Sequence, residues 1–154
     1  MNKQLSEHFH LDEFTRSNTA LRKGISNVPG AQEYFNIQLL CNKVLEPIRL
    51  YWNKPVIITS GFRSEKLNKA IGGATESQHI KGKAADIEIM GVDNKELFRW
   101  ISNTQDIDQI ILEYYKDGKT NSGWVHVSWS KFGNRNQKLV SLKDGTKTKY
   151  RLIT

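Results

Sequence analysis

Between Ala31 and Trp52 the apolar residues Ile37, Leu40, Cys41, Val44, Leu45 and Ile48 recur at helical spacing, which gathers side chains on one face of a helix. Pro47 falls inside this run. Its ring offers no N–H and crowds the carbonyl four residues back, so the pattern predicts a helix kinked or divided near Leu45. The period then shortens. Pro55-Val56-Ile57-Ile58-Thr59-Ser60, β-branched and closed by Gly61, predicts a buried strand, and Ala84-Ala85-Asp86-Ile87-Glu88-Ile89 predicts a second. Ser64 to Ala70 suits a short helix that Gly72-Gly73 ends. Asp93 suits the N-cap of a helix running to about Ile101, with Leu97, Phe98 and Trp100 as its apolar contacts.

Two further strands are predicted from Gln109 to Tyr115 and from Trp124 to Trp129, joined as a hairpin by the turn-rich segment between them. Another short pair follows around Gln137–Leu142 and Lys147–Leu152. Residues 1–30 are polar and turn-rich, which predicts a surface-wrapping segment with short helices, one opening at Leu11-Asp12-Glu13-Phe14. No repeat, low-complexity tract or Pro/Gly/Ser linker interrupts the chain. The expected fold is therefore α+β, an antiparallel sheet with helices packed on it, in a single domain spanning 1–154.

Composition narrows the class. A chain of 154 residues fits one domain, and at that size about 70% of the unfolded surface can be buried. With 10% aromatic residues, disorder is excluded as the general state. No apolar run approaches the roughly 20 residues of a membrane span, so no membrane insertion is expected. The start, Met1-Asn2-Lys3-Gln4-Leu5-Ser6-Glu7-His8, lacks the apolar stretch of a secretory signal. Synthesis in the cytoplasm is expected, with action outside only by delivery. The 23 Lys+Arg against 16 Asp+Glu give a net charge of +7, which attracts nucleic acid, anionic cell-wall polymers and acidic membranes alike. The basic residues are scattered, with one loose cluster at Lys138, Lys143, Lys147, Lys149 and Arg151. They read as a solvated surface, and no nucleic-acid partner and a monomer are expected. Cys41 is the single cysteine, which excludes an internal disulfide and reads as a small core residue.

The candidate chemistry lies in two strands and one loop. His8 and His10 sit in the polar amino-terminal segment and read as surface residues. His79, by contrast, precedes a glycine turn that leads into the strand carrying Asp86. Alternation places Ala84, Asp86 and Glu88 on one face of that strand, and Trp124, His126 and Ser128 on one face of another. A carboxylate within an apolar strand must be paired, hydrogen-bonded or bound to metal. If the two strands are neighbours, Asp86 and His126 converge and His79 reaches in from its loop. Two imidazoles and a carboxylate are a ligand set of the kind catalytic zinc uses. A structural histidine hydrogen-bonded to a strand aspartate fits the same spacing, and spacing does not choose between them.

Ser77-x-His79-x-x-Gly82-x-Ala84-x-Asp86, followed by Trp124-Val125-His126, resembles the paired motifs of the zinc D-Ala-D-Ala carboxypeptidase family. That family includes D-alanyl-D-alanine dipeptidases and phage L-alanyl-D-glutamate endopeptidases, and shares its fold with the Hedgehog amino-terminal signalling domain. The resemblance extends over roughly residues 5–140. Ile58-Thr59-Ser60-Gly61-Phe62-Arg63-Ser64, Leu67-Asn68 and Asp108-Gln109-Ile110-Ile111-Leu112-Glu113 resemble its small branch in phages and gut bacteria. It implies that His79, Asp86 and His126 hold Zn²⁺. It also implies that Arg63 lies at the cleft edge and holds a substrate carboxylate or carbonyl, a task suited to the guanidinium fork. Ser77 either hydrogen-bonds the substrate backbone or shapes its loop.

Several relatives carry an acid three residues before the last histidine, and here that position is Gly123. Glu113 is the substitute general base: if residues 111–115 pair antiparallel with 124–128, it stands directly opposite His126. Its alternatives are a partner that orients a ligand histidine or a solvated glutamate. Asp117, in the loop, is a poorer candidate, and Glu88 could support Asp86 from the same strand face. Trp124, Trp129, Tyr114 and Tyr115 gather around the hairpin, where core packing is expected for most. Asn134-Arg135-Asn136 is a further candidate for substrate contact. The implied function is hydrolysis of peptidoglycan stem peptides by a lysin-like zinc metallopeptidase. It acts either as a carboxypeptidase releasing terminal D-Ala or as an endopeptidase cutting within the stem. A zinc-bearing binding or virion structural module without turnover is the alternative.

Overall fold

The computed structural model describes residues 3–153; Met1, Asn2 and Thr154, the ends of the expected domain and leader readings, lie outside the described residues. The amino-terminal segment carries two short helices, α1 (Leu11–Thr15) and α2 (Asn18–Lys23). It does more than cover a surface, because Leu5, Phe9 and Phe14 are buried in the core. His8 is tied down as well: its Nδ1 lies 2.7 Å from Glu46 Oε2.

Pro47 marks the division of the long helix. Residues Ala31–Leu40 form α3, Cys41–Leu45 widen into a π turn, and Glu46–Trp52 form α4. Across the π turn the Glu46 N–H reaches the Cys41 carbonyl. Pro47 then sits in the first turn of α4, so its missing N–H and the widened π turn fall at the same place in the helix. Cys41 is fully buried, and burial pushes its thiol pKa far up, as befits an inert core residue.

Strand β1 (Ile57–Ser60) leads to helix α5 (Glu65–Ala70), which begins where Ser64 Oγ accepts the Leu67 N–H at 3.2 Å. Then come β2 (Ala84–Glu88) and α6 (Asn94–Thr104), the latter capped by the Asp93 carboxylate, which accepts the Lys95 N–H at 2.9 Å. The hairpin β3 (Gln109–Glu113) and β4 (Trp124–Ser128) follows, then β5 (Gln137–Asp144) and β6 (Lys147–Leu152). All six strands form one sheet in the order β1-β2-β4-β3-β5-β6.

The sheet is antiparallel except where β5 runs parallel to β3. After β4 the chain rounds the start of β3 and is pinned there. Asn136 N–H donates to Ile107 O at 3.0 Å, Gln137 N–H donates to Asp108 O at 2.9 Å, and Arg135 grips Asp108 through both Nε and a terminal nitrogen. Ala85, Ile87, Ile110, Leu112, Val125 and Val127 point into the core shared with α3, α4 and α6. The opposite face carries Asp86, Ile111, Glu113 and His126, in keeping with a sheet that packs helices on one side only.

The register of β3 on β4 differs from the expected one. Ile111, not Glu113, faces His126, and Glu113 faces Trp124. The ladder ends at Glu113 because Tyr114 turns into the left-handed region at φ 52°. Gly123 sits at φ 64° with its backbone pressed against the Glu113 carbonyl. At the other end, Asp108 N–H donates to Ser128 O at 2.9 Å and locks the pairing.

Candidate metal centre and cleft

Asp86 on β2 and His126 on β4 are directly paired residues of adjacent strands, as the alternation predicted. His126 Nδ1 lies 3.1 Å from Asp86 Oδ1. His79 enters from the turn before β2 and brings Nε2 within 3.3 Å of the same oxygen. That turn needs Gly82: at φ 70°, a Cβ there would lie 2.5 Å from the Glu33 carbonyl oxygen, which only glycine avoids. One ligand atom from each of His79, Asp86 and His126 fits within a 4.8 Å span, and all three residues are buried.

The hydrogen bonds decide what this cluster wants. His79 Nδ1 is 2.7 Å from the Gly61 carbonyl oxygen, which can only accept, so the ring proton sits on Nδ1. The Nε2 of a neutral His79 is then a lone pair facing a carboxylate oxygen, acceptor against acceptor at 3.3 Å. Burial, opposed by Asp86, lowers the His79 pKa and so disfavours protonation as the remedy. Burial alone would raise the Asp86 carboxyl, but the imidazoles around it and the hydrogen bond from His126 hold it well below the usual carboxylate range. His126 Nε2 is also buried, with no hydrogen-bond partner among the described residues. A cation between these donors resolves the acceptor conflict, so the residues fit a metal better than they fit a purely structural pair.

A cleft of about 820 Å³ lies over the cluster, walled by Arg63, Ser77, Glu113, Tyr114, Trp124 and Tyr150 among others. Arg63 is held by Nε donating to Ser60 Oγ at 3.2 Å, and its guanidinium is 3.6 Å from Asp86 Oδ2. Ser77 Oγ accepts the His79 N–H at 3.3 Å, so it shapes the metal-side turn while lining the cleft. Glu113 reaches the same cleft from a position diagonal to His126. Burial raises its pKa, against the pull of a hydrogen bond from the Ser141 hydroxyl. Asp117 is exposed and paired with Lys95, and Glu88 faces a separate hollow beside Ile57 and Met90. Tyr115 and Trp129 pack against the core, whereas Tyr114 and Trp124 stand in the cleft with ring centroids 5.4 Å apart. Arg135 also borders the cleft from its pairing with Asp108.

The chain matches the peptidase M15 family over residues 7–128. It belongs to that family. The match takes in His79, Asp86 and His126 and stops at the end of β4, short of the 5–140 span expected from the motifs. No curated protein matches the chain. Membership makes this M15 chain a metallopeptidase by family, with a peptide as its substrate class, and implies the Hedgehog/DD-peptidase fold. The buried His–Asp–His group is consistent with the metal site of such an enzyme.

Sequence reasoning missed the contribution of β5 and β6 to this M15 site. Leu139, Thr148 and Tyr150 line the cleft, and Ser141 bonds Glu113 from beneath. Alternation within β5 hints that Leu139 and Ser141 share a face, but nothing in the chain announces that β5 lies against β3.

Proposed function

We propose that this chain is a zinc-dependent peptidase hydrolysing peptidoglycan stem peptides, releasing a terminal D-Ala or cutting within the stem. The observation that carries the reading is the acceptor-to-acceptor approach of His79 Nε2 and Asp86 Oδ1 at 3.3 Å on the floor of a wide cleft. His79, Asp86 and His126 would hold the ion, a nitrogen and oxygen set that suits zinc with an open position. When bound, zinc supplies Lewis-acid chemistry that polarises a peptide carbonyl and acidifies a water.

The chain's own groups supply the rest. Glu113, its pKa raised by burial, is tuned to take a proton from the attacking water and return it to the leaving amine. Arg63 presents a guanidinium at the cleft for a substrate carboxylate or carbonyl. The net charge of +7 favours approach to an anionic wall. Delivery across the membrane by a holin or a phage particle would bring a cytoplasmic product to that wall.

The test is incubation of purified protein with isolated peptidoglycan, with and without a chelator, and identification of the fragments by mass spectrometry. Chelator-sensitive release of D-Ala establishes the carboxypeptidase, and new amino termini within the stem establish the endopeptidase. No release from several wall chemistries, despite one zinc per chain, would overturn the enzyme reading in favour of a zinc-bearing binding module.

A further inference from the structure

The family match ends at residue 128, yet the chain adds a complete β-hairpin after it. The hairpin joins the sheet beside the strand that carries Glu113, with Glu113 and Ser141 as directly paired residues of β3 and β5. Ser141 is fully buried, and its hydroxyl donates to Glu113 Oε2. The next residue is gripped twice by the same hairpin. Tyr114 N–H donates to the Ser141 carbonyl at 3.0 Å, and the Tyr114 hydroxyl is hydrogen-bonded to Thr148 Oγ1 at 2.6 Å.

A buried serine on a sheet face would ordinarily be replaceable by alanine or valine. Here its hydroxyl spends its one proton on a carboxylate that borders the cleft. We infer that the β5–β6 hairpin is a working part of the active site and that Ser141 is a positioning residue for Glu113. By occupying Oε2, Ser141 fixes the rotation of the carboxylate and leaves the other oxygen to exchange a proton with the attacking water and the leaving amine. Thr148 acts on the neighbouring tyrosine in the same way, keeping its ring beside Trp124 as one wall of the cleft. The inference rests on the reading of Glu113 as general base.

The test compares Ser141→Thr, which keeps the hydroxyl, with Ser141→Val, which has the same shape without it, in the zinc-loaded full chain. For a group acting through another, a loss of about ten- to a hundredfold in kcat is expected for the valine variant. KM and zinc content should stay as in the wild type, and the threonine variant should keep most of its kcat. Independently of turnover, ¹³C NMR of the Glu113 carboxyl should show its titration midpoint moving up in the valine variant, because a donor that favours the ionised form has gone. Equal losses in both variants, or an unmoved midpoint, would overturn the positioning role and leave Ser141 as packing. A Glu113→Gln control separates the two readings. Full activity in that control would sink the general-base assignment itself. An inactive Glu113→Gln beside a fully active Ser141→Val would sink only the role of Ser141.

Discussion

Gly123 lies so close to Glu113 that a Cβ built on it would fall upon the Glu113 carbonyl oxygen. The position three residues before His126, where several relatives place an acid, is thus closed to any side chain by the way β3 ends. The same contact that removes one carboxylate from the site brings the end of β3, with Glu113, up to the cleft.

Restoring an acid at that position should therefore harm the protein. Gly123→Asp would place a side chain at positive φ and against backbone. Strain of this kind costs about 1–3 kcal/mol, which a urea midpoint would register, with no gain in turnover. An increase in kcat in a stable variant would contradict this account of Gly123.

Glu113→Gln keeps size and burial but abolishes proton exchange. A fall in kcat of about 10²- to 10⁴-fold is expected, with zinc content by mass spectrometry unchanged. In the metal-free wild type the Glu113 carboxyl, followed by ¹³C NMR, should titrate above the ordinary glutamate range, since burial raises its pKa. A midpoint at or below that range would show that burial does not hold the group protonated.

Metal should stabilise the fold as well as activate it. At a hundredfold excess over its Kd, an ion bound by the native state alone adds about 2.7 kcal/mol. Thermal melts with and without a chelator should differ accordingly. His79→Ala should erase that difference by removing a ligand, and a persistent zinc-induced shift in that variant would place the ion elsewhere.

Without metal, Asp86 contributes to the acid end of the stability curve, as do Glu46 and Asp108, whose folded pKa values are also depressed. The folded pKa of Asp86 is depressed, so its contribution is present above the ordinary aspartate range and lost as pH falls through and below it. Urea midpoints of chelated protein should fall on acidification, and less so in Asp86→Asn. Parallel curves for the two proteins would show that the Asp86 ion cluster contributes nothing.

Phe9, only 1% exposed, belongs to the core. Phe9→Ala should cost about 3–5 kcal/mol, measured by chemical denaturation. A loss under about 1 kcal/mol would mean that the amino-terminal segment merely lies on the surface.

Asp86 and His126 of the candidate metal site were legible because their strands alternate cleanly. Ala85, Ile87, Val125 and Val127 face the core, which forces Asp86 and His126 onto the other side, where the direct pairing of β2 and β4 brings them together. The end of β3 was not legible. It depends on Tyr114 adopting a left-handed backbone and on contact with Gly123, and an apolar pattern encodes neither. Leu5 and Phe9 stand alone among polar residues, so no period marked them as core. Ser141 escaped for a different reason: its role comes from a parallel neighbour brought in by a crossover after β4.

Strand β6 closes the sheet on one side, with no further strand beyond it among the described residues. Thr148 and Tyr150 turn toward the cleft, and the alternating Lys147, Lys149 and Arg151 are exposed. A row of cations along an open edge is a barrier to further strand addition, because a second copy docking there would set like charges against each other. The border that helps form the cleft thus also guards the molecule against stacking into fibrils, and it lets an M15 peptidase keep an unpaired strand without a covering helix.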